Sequence, residues 1–331
     1  MQTRTLGRTG PEVSALGLGA MGMSDLYGPT DEAEGLATIH AAFDAGINLI
    51  DTGDFYGMGH NEMLIGRALR GRDREQVKIS VKFGALRDAA GGWHGSDGRP
   101  KAVANFLAYT LRRLDTDYVD IYRLSRLDHD VPIEETIGAI AEQVQAGRVR
   151  HIGLSEVGAD TIRRAASVHP ISDLQIEYSL LSRGIEAEIL PTLRELGIGL
   201  TAYGVLSRGL LSGRWTADRA LTPGDFRGFS PRFQGDNLLA NLGLVEALRT
   251  IADARNVTVA QVAIAWILNR GDDIVPLVGA RRPDRLAESL GALALTLTDD
   301  DLAAIELAVP AGAAAGERYG PPAMAELDSE R

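Results

Sequence analysis

Ile47-Asn48-Leu49-Ile50-Asp51-Thr52-Gly53-Asp54-Phe55-Tyr56-Gly57 is the stretch on which the fold of this 331-residue chain turns. Residues 47–50 form a short apolar run, opened by Gly46 and closed by an acidic, glycine-broken turn, which is the pattern of a buried strand. Asp51 sits where that strand stops, and Tyr56 follows five residues later on the loop it feeds. A second run, Val77-Lys78-Ile79-Ser80-Val81, ends in Lys82-Phe83-Gly84. If the two strands are parallel neighbours, Asp51, Tyr56 and Lys82 meet at one end of the sheet. A lysine cation favours tyrosinate, and an aspartate holds that lysine charged and in place. The expected result is a phenol whose pKa is drawn down from ~10, usable as a proton donor to a carbonyl at neutral pH. Taken singly, Asp51 reads equally as a turn former or cap, Tyr56 as a loop aromatic and Lys82 as a solvated charge.

Outward from this centre the chain alternates strand and helix. A small hairpin (residues 3–16) precedes a first buried strand that leads into Gly17-Leu18-Gly19-Ala20-Met21-Gly22-Met23. This glycine run lacks both a directly following helix and a ribose-binding acid at the right distance, so a Rossmann reading fails. Asp31 is placed to cap a helix that runs to residue 45. Further strands are expected at 118–124, 149–154, 173–177, 199–203 and 274–277, with helices between them. Residues 91–100 read as a flexible Gly/Asp-rich loop. The segment 204–235 is too long for an ordinary connection and is rich in arginine and aromatic residues, which suggests a lid. Eight short strands, buried on both faces and alternating with helices, predict an α/β fold. The expected architecture is a single (β/α)8 TIM barrel over residues 1–310, with an N-terminal β-hairpin and extra C-terminal helices. Residues 311–331 are expected to form a flexible tail. Every candidate residue falls at the C-terminal end of its strand, the face on which barrel enzymes carry their chemistry.

Composition narrows the function classes. The chain is 45% hydrophobic and 24% charged, enough for a large core. It has no cysteine, which excludes disulfides and thiolate chemistry and fits a reducing cytoplasm. Six scattered histidines show no metal-ligand spacing. A net charge of −11 argues against nucleic acid and anionic membranes as partners. No apolar leader and no run of ~18 apolar residues is visible, so a soluble cytoplasmic protein is expected.

The joint pattern Asp51-Thr52-x-Asp54-x-Tyr56-Gly57, followed by a strand ending Val81-Lys82-Phe83-Gly84, resembles the aldo-keto reductase superfamily over almost the whole chain. The resemblance implies catalytic roles for Tyr56, Lys82 and Asp51, and NADPH as cofactor. It puts Gly22, Met23, Asp51 and Tyr56 against the dinucleotide, and Ser155 and Gln175 on the carboxamide. Tyr203 would stack on the nicotinamide, a use of its flat face, and Ser207, Arg208 and Gly209 would wrap the pyrophosphate. The segment Gly279-Ala280-Arg281-Arg282-Pro283-Asp284-Arg285-Leu286-Ala287-Glu288 resembles the adenosine-binding segment, with Arg281 and Arg285 on a 2′-phosphate. Three positions depart from the family. Glu156 stands where an asparagine is common, with a loosened hold on the carboxamide expected, because an ionised carboxylate only accepts. Ser289 replaces a frequent asparagine. Ser125 occupies the place of the usual catalytic histidine in Tyr122-Arg123-Leu124-Ser125-Arg126-Leu127-Asp128.

The implied function is NADPH-dependent hydride transfer between the nicotinamide and a small aldehyde, ketone or alcohol, with Tyr56 as general acid/base. The rival reading is an NADPH-binding regulatory or weakly active barrel, in which Ser125 does not support efficient turnover.

Overall fold

The computed structural model describes residues 1–24 and 26–330 of the chain. Eight parallel strands close into a barrel, β3 (Gly17–Gly19), β4 (Leu49–Gly53), β5 (Lys78–Phe83), β8 (Val119–Leu124), β9 (Val149–Ser155), β10 (Ile171–Glu177), β11 (Gly199–Tyr203) and β12 (Ile274–Gly279). Their order around the barrel is the order of the chain, and β12 pairs back onto β3. The register sets Asp51 beside Ser80 and Gly53 beside Lys82, so the two motifs of the sequence share one rim.

The strands are buried along most of their length because helices cover their outer face. These are α1 (Glu32–Asp44), α2 (His60–Leu69), α3 (Pro100–Leu114), α4 (Ile133–Gln145), α5 (Ala159–Val168), α6 (Ile189–Leu196), α7 (Gly235–Ala254), α8 (Val259–Asn269), α9 (Pro283–Leu290) and α10 (Asp299–Ala308). Asp31 caps α1 by accepting from the Glu34 amide, and Thr258 forms a capping box with Gln261 on α8. The hairpin β1 (Thr3–Thr5) and β2 (Glu12–Ser14) closes the opposite end. Its Leu6 and Val13 pack with Leu49, Ile121, Val275 and Leu277 inside the barrel floor.

Two loops differ from expectation. Part of the Gly/Asp-rich segment is ordered as a second hairpin, β6 (Ala85–Arg87) with β7 (Trp93–Ser96), held by Arg87 donating to the Gly91 carbonyl and stacking on Trp93. The tail expected to be mobile instead folds across the C-terminal mouth. Asn241 of α7 exchanges two hydrogen bonds with Ala315, and Arg318 inserts among Glu156, Glu177 and Glu330. Beyond it α11 (Pro321–Ala325) leads to Leu327, which is buried, and to Asp328, which accepts from the Gly158 amide. Composition reads as a tail because the residues that tie it down are single polar ones whose partners lie 74 to 170 positions away. Among the described residues no single helix is long and apolar enough to cross a membrane.

The turn that leaves β4 is fixed by side chains rather than by apolar packing. Thr52 Oγ1 donates to Asn61 Oδ1 at 2.7 Å, and Asn61 Nδ2 donates to the Ala20 carbonyl at 2.9 Å. Gly57, Met58 and Gly59 all have positive φ, which turns the chain sharply from Tyr56 into α2. Asp54, next to this turn, is buried without a hydrogen-bond partner for either carboxylate oxygen. Burial first, and then the neighbouring charge of Glu62, push its pKa from 3.8 up to about 8.

That shift predicts a signed pH effect. Between about pH 4 and pH 8 the folded chain keeps a proton on Asp54 that the unfolded chain has lost, so this group lowers stability increasingly as pH rises. Asp54→Asn should melt with the wild type near pH 4 and above it by a margin that widens up to pH 8. Calorimetric melts showing a pH-independent difference would contradict the assignment. For the tail, Arg318→Ala leaves buried carboxylates short of a cation and should cost ~3 kcal/mol. Hydrogen exchange across residues 311–330 should accelerate in that variant, and unchanged protection would mean the tail is held by other contacts.

Candidate functional site

The C-terminal rim of the barrel gathers the residues singled out by sequence. Lys82 and Asp51 form a buried ion pair between β5 and β4. The second Asp51 oxygen accepts from Ser80 Oγ at 2.9 Å and from Gln175 Nε2 at 2.7 Å. Below this pair lies a further polar layer that sequence reading missed. Arg123, fully buried, donates to Asp173 at 2.9 Å and to Ser80 Oγ at 3.0 Å, and Asp173 also accepts from Thr201. A charge taken out of water persists best when it is paired and its remaining hydrogen-bond capacity is filled. Asp51 and Asp173 meet that condition closely, whereas Arg123 keeps its Nε buried without a partner.

Tyr56 is buried at the edge of this layer, with Lys82 Nζ 5.2 Å from its ring centroid. Phe55 packs against it edge-on, at 4.8 Å between ring centroids. The expected lowering of its pKa is reversed: burial, and then the charge of Asp51, push the phenol well above its ordinary value. Burial outweighs the charges around the ring, Asp51 adds to the upward shift, and the cation that opposes it is Arg126. Lys82 itself is lowered by burial, with Asp51 opposing. The phenol is therefore a protonated donor over the physiological range. Ser125 is buried at the end of β8, its amide donating to the Phe83 carbonyl at 2.8 Å and its Oγ unpartnered.

The residues that resemble a dinucleotide site ring the same mouth. Ser155 Oγ and Ser207 Oγ are both buried with no protein partner. Ser207 and Arg208 hold positive φ, as does Gly209, so this loop stores backbone strain of ~1–3 kcal/mol at each of the two non-glycine residues. Strain of this kind collects at ligand clamps. Tyr203, half-buried at the end of β11, donates to Glu156 Oε1 at 2.7 Å. Gly279 ends β12 in open space and Gly22 lies against Arg281. Arg281 reaches only the carbonyls of Tyr27 and Pro29, both at 3.3 Å, and Arg285 has loose carboxylate neighbours at 3.6 and 3.7 Å. Glu288 pairs with Arg214 at 2.9 Å and keeps one buried oxygen unpartnered. Unfilled hydroxyls at one end and underused guanidiniums at the other are a donor set that fits a nicotinamide dinucleotide.

Three placements differ from the expectation. Gln175 is turned to Asp51 instead of presenting a free amide. Met23 is buried in the main hydrophobic core, leaving only its backbone for a ligand. Glu156 is not a loose substitute for asparagine. Its carboxylate accepts from Tyr203, Arg318, Ser329 and the Glu177 amide, and although burial alone would raise its pKa, Arg318 holds it down to about 2. Glu177 answers Arg208 at 2.8 Å and Arg232 at 3.6 Å, so the 204–235 segment is tied to the rim by the same charges. Tyr319 follows Arg318 into the mouth, 2.9 Å from the Tyr203 hydroxyl and under the Arg208 guanidinium. Tyr319 and Arg318 gave no sequence signal, because nothing near them in the chain marks their partners. Among the described residues no cluster of three or more His, Cys, Asp or Glu is placed to hold a metal.

Comparison with known proteins bears on this arrangement. Residues 15–309 match the Aldo/keto reductase family. A soybean (Glycine max) protein named "Probable aldo-keto reductase 1" is 42% identical over 322 residues, covering 96% of this chain and 92% of that protein. The solved glycerol dehydrogenase of Gluconobacter oxydans superposes with a TM-score of 0.83 at 30% identity, covering 92% of this chain and 94% of that one. An aldo-keto reductase of Bacillus halodurans, in its holo form, gives 0.77 at 30% identity over 94% of this chain and 97% of that one. Members of this family are oxidoreductases that use nicotinamide cofactors on small carbonyl or alcohol substrates. With motif, barrel and rim in agreement, the chain belongs to the aldo-keto reductase family.

Proposed function

We propose that the protein is an NADPH-dependent oxidoreductase of small aldehydes, ketones or alcohols, working in the cytoplasm. The observation that carries this reading is the buried Asp51–Lys82 pair beside a protonated Tyr56, on the rim of the barrel that also bears the unpartnered hydroxyls of Ser155 and Ser207. The bound nicotinamide supplies or accepts the hydride. Tyr56 gives its Oη proton to the carbonyl oxygen in reduction, and takes it back from the alcohol in oxidation. Lys82 and Asp51 act as positioning residues that hold the phenol's surroundings rigid and electrically balanced. Ser155 would hold the carboxamide, Tyr203 would carry the ring face, and Ser207 with Gly209 would meet the pyrophosphate. Gly22, the Met23 backbone, Gly279 and Glu288 would line the remaining length, with Arg281 and Arg285 on a 2′-phosphate.

Ser125 supports a second reading, a barrel that binds NADPH and turns over slowly. A serine donates one neutral hydrogen bond where a histidine would donate a stronger one, and a lost donor of this kind commonly costs ~2.7–4 kcal/mol of transition-state stabilisation.

Two measurements test the first reading. Tyr56→Phe keeps the ring and removes the proton, so aldehyde reduction should fall on the order of 10²–10⁴-fold with NADPH affinity nearly unchanged. Undiminished reduction would place the proton source elsewhere. Arg285→Ala removes charge-assisted hydrogen bonds worth roughly 1.5–3 kcal/mol each. Calorimetry should therefore show a much larger loss for NADPH than for NADH, and equal losses would remove the argument for the 2′-phosphate.

A further inference from the structure

Among the described residues, most cations near the proton donor are answered by carboxylates. Lys82 is paired with Asp51, Arg208 and Arg232 with Glu177, and Arg318 with Glu156. Arg126 differs. Among the described residues no carboxylate oxygen lies within 4.0 Å of its guanidinium. Its Nη1 donates to the Ser125 carbonyl at 2.6 Å and its Nη2 to Tyr319 Oη at 3.4 Å, both neutral acceptors. Its charge is felt by Tyr56 and Lys82 on one side, and it feels Tyr203 and Glu156 on the other. Through Tyr319 it is linked to Tyr203, the aromatic platform, whose hydroxyl lies 2.9 Å from that of Tyr319. Immediately beside it, Ser125 Oγ is buried with no partner.

A guanidinium carries five N–H donors and a fixed charge. Held partly out of water with only neutral acceptors, it is completed best by a planar anion that takes two of those donors at once. We propose that Arg126, with Ser125 beside it, is an anion subsite, and that the carbonyl compounds this site prefers carry a carboxylate near their reacting group. The preference is local, since the chain as a whole carries a net charge of −11 and its overall field repels anions. It also gives the Ser125 position a use: a small side chain leaves room for the neighbouring arginine to serve the substrate. The inference rests on the oxidoreductase reading for the word carbonyl, while the subsite itself is a matter of binding.

The test is a matched pair of ligands, 4-formylbenzoate and its neutral counterpart 4-formylbenzamide, titrated calorimetrically into the full-length protein with and without NADP+. The wild type should bind the carboxylate on the order of 10–100-fold more tightly than the amide, the scale of a charge-assisted pair. In Arg126→Met this ratio should collapse towards unity, and Arg126→Lys, which keeps charge but loses the fork, should retain part of it. Equal affinities in the wild type, or a ratio unchanged in Arg126→Met, would overturn the proposal. So would a variant that loses both ligands equally while Arg126→Lys behaves as wild type towards neither, since that is the signature of a structural tie between Ser125 and Tyr319. Because no turnover is needed, a protein that binds the carboxylate selectively yet reduces neither aldehyde would sink the oxidoreductase reading and leave the subsite standing.

Discussion

The buried pair between Lys82 and Asp51 is the constraint around which the rim of this barrel is organised. Two opposite charges out of water are stable only when the geometry is good and every leftover donor and acceptor is occupied. Asp51 meets that demand with Ser80 and Gln175, and Ser80 in turn accepts from Arg123, whose own carboxylate partner Asp173 is shared with Thr201. Five strands thus contribute to one continuous polar layer, set just beneath the mouth. Loss of any member leaves a charge or dipole stranded in the core. The strand register that places Ser80 beside Asp51 is accordingly as important to this site as the residues themselves.

That layer also decides how Tyr56 behaves. Burial first, and then the charge of Asp51, keep the proton on the phenol so that it can act as a donor, and the cation that opposes them is Arg126. A donor poised beside a preorganised ion pair needs little rearrangement when negative charge develops on a carbonyl oxygen. The pair's contribution is the fixed environment it provides, more than a direct lowering of the tyrosine pKa.

The upper rim solves a second electrostatic problem. Glu156 and Glu177 end neighbouring strands and are buried, so each requires cations. Arg208 and Arg232 arrive from the long segment after β11, and Arg318 from the chain's last twenty residues. These ion pairs convert two stretches of low apolar content into parts of the site. They also bring Tyr319 onto Tyr203, so that the tail contributes to the mouth it covers. Asp54 shows the opposite arrangement, a carboxyl with no ion-pair partner among the described residues, whose burial keeps it protonated to about pH 8.

Short apolar runs bounded by glycine and turn residues were enough to locate the strands. Their alternation with capped helices was enough to specify a barrel, because those signals are local and a short strand buried on both faces has few other homes. Asp51 and Lys82 were legible for the same reason, each lying at the end of an apolar run, and Tyr56 through its place in the joint pattern that follows Asp51. What the sequence left open depends on contacts between distant residues. The hairpin in the Gly/Asp-rich segment, the turning of Gln175 onto Asp51, the Arg123–Asp173 layer and the docking of residues 311–330 follow from pairings set by barrel closure. Arg126 and Arg318 carry no marker of their partners in the chain, and there nothing distinguishes them. Only the folded rim decides that, among the described residues, Arg318 meets three carboxylates and Arg126 meets none, because an ion pair depends on three-dimensional distance, which a sequence does not carry.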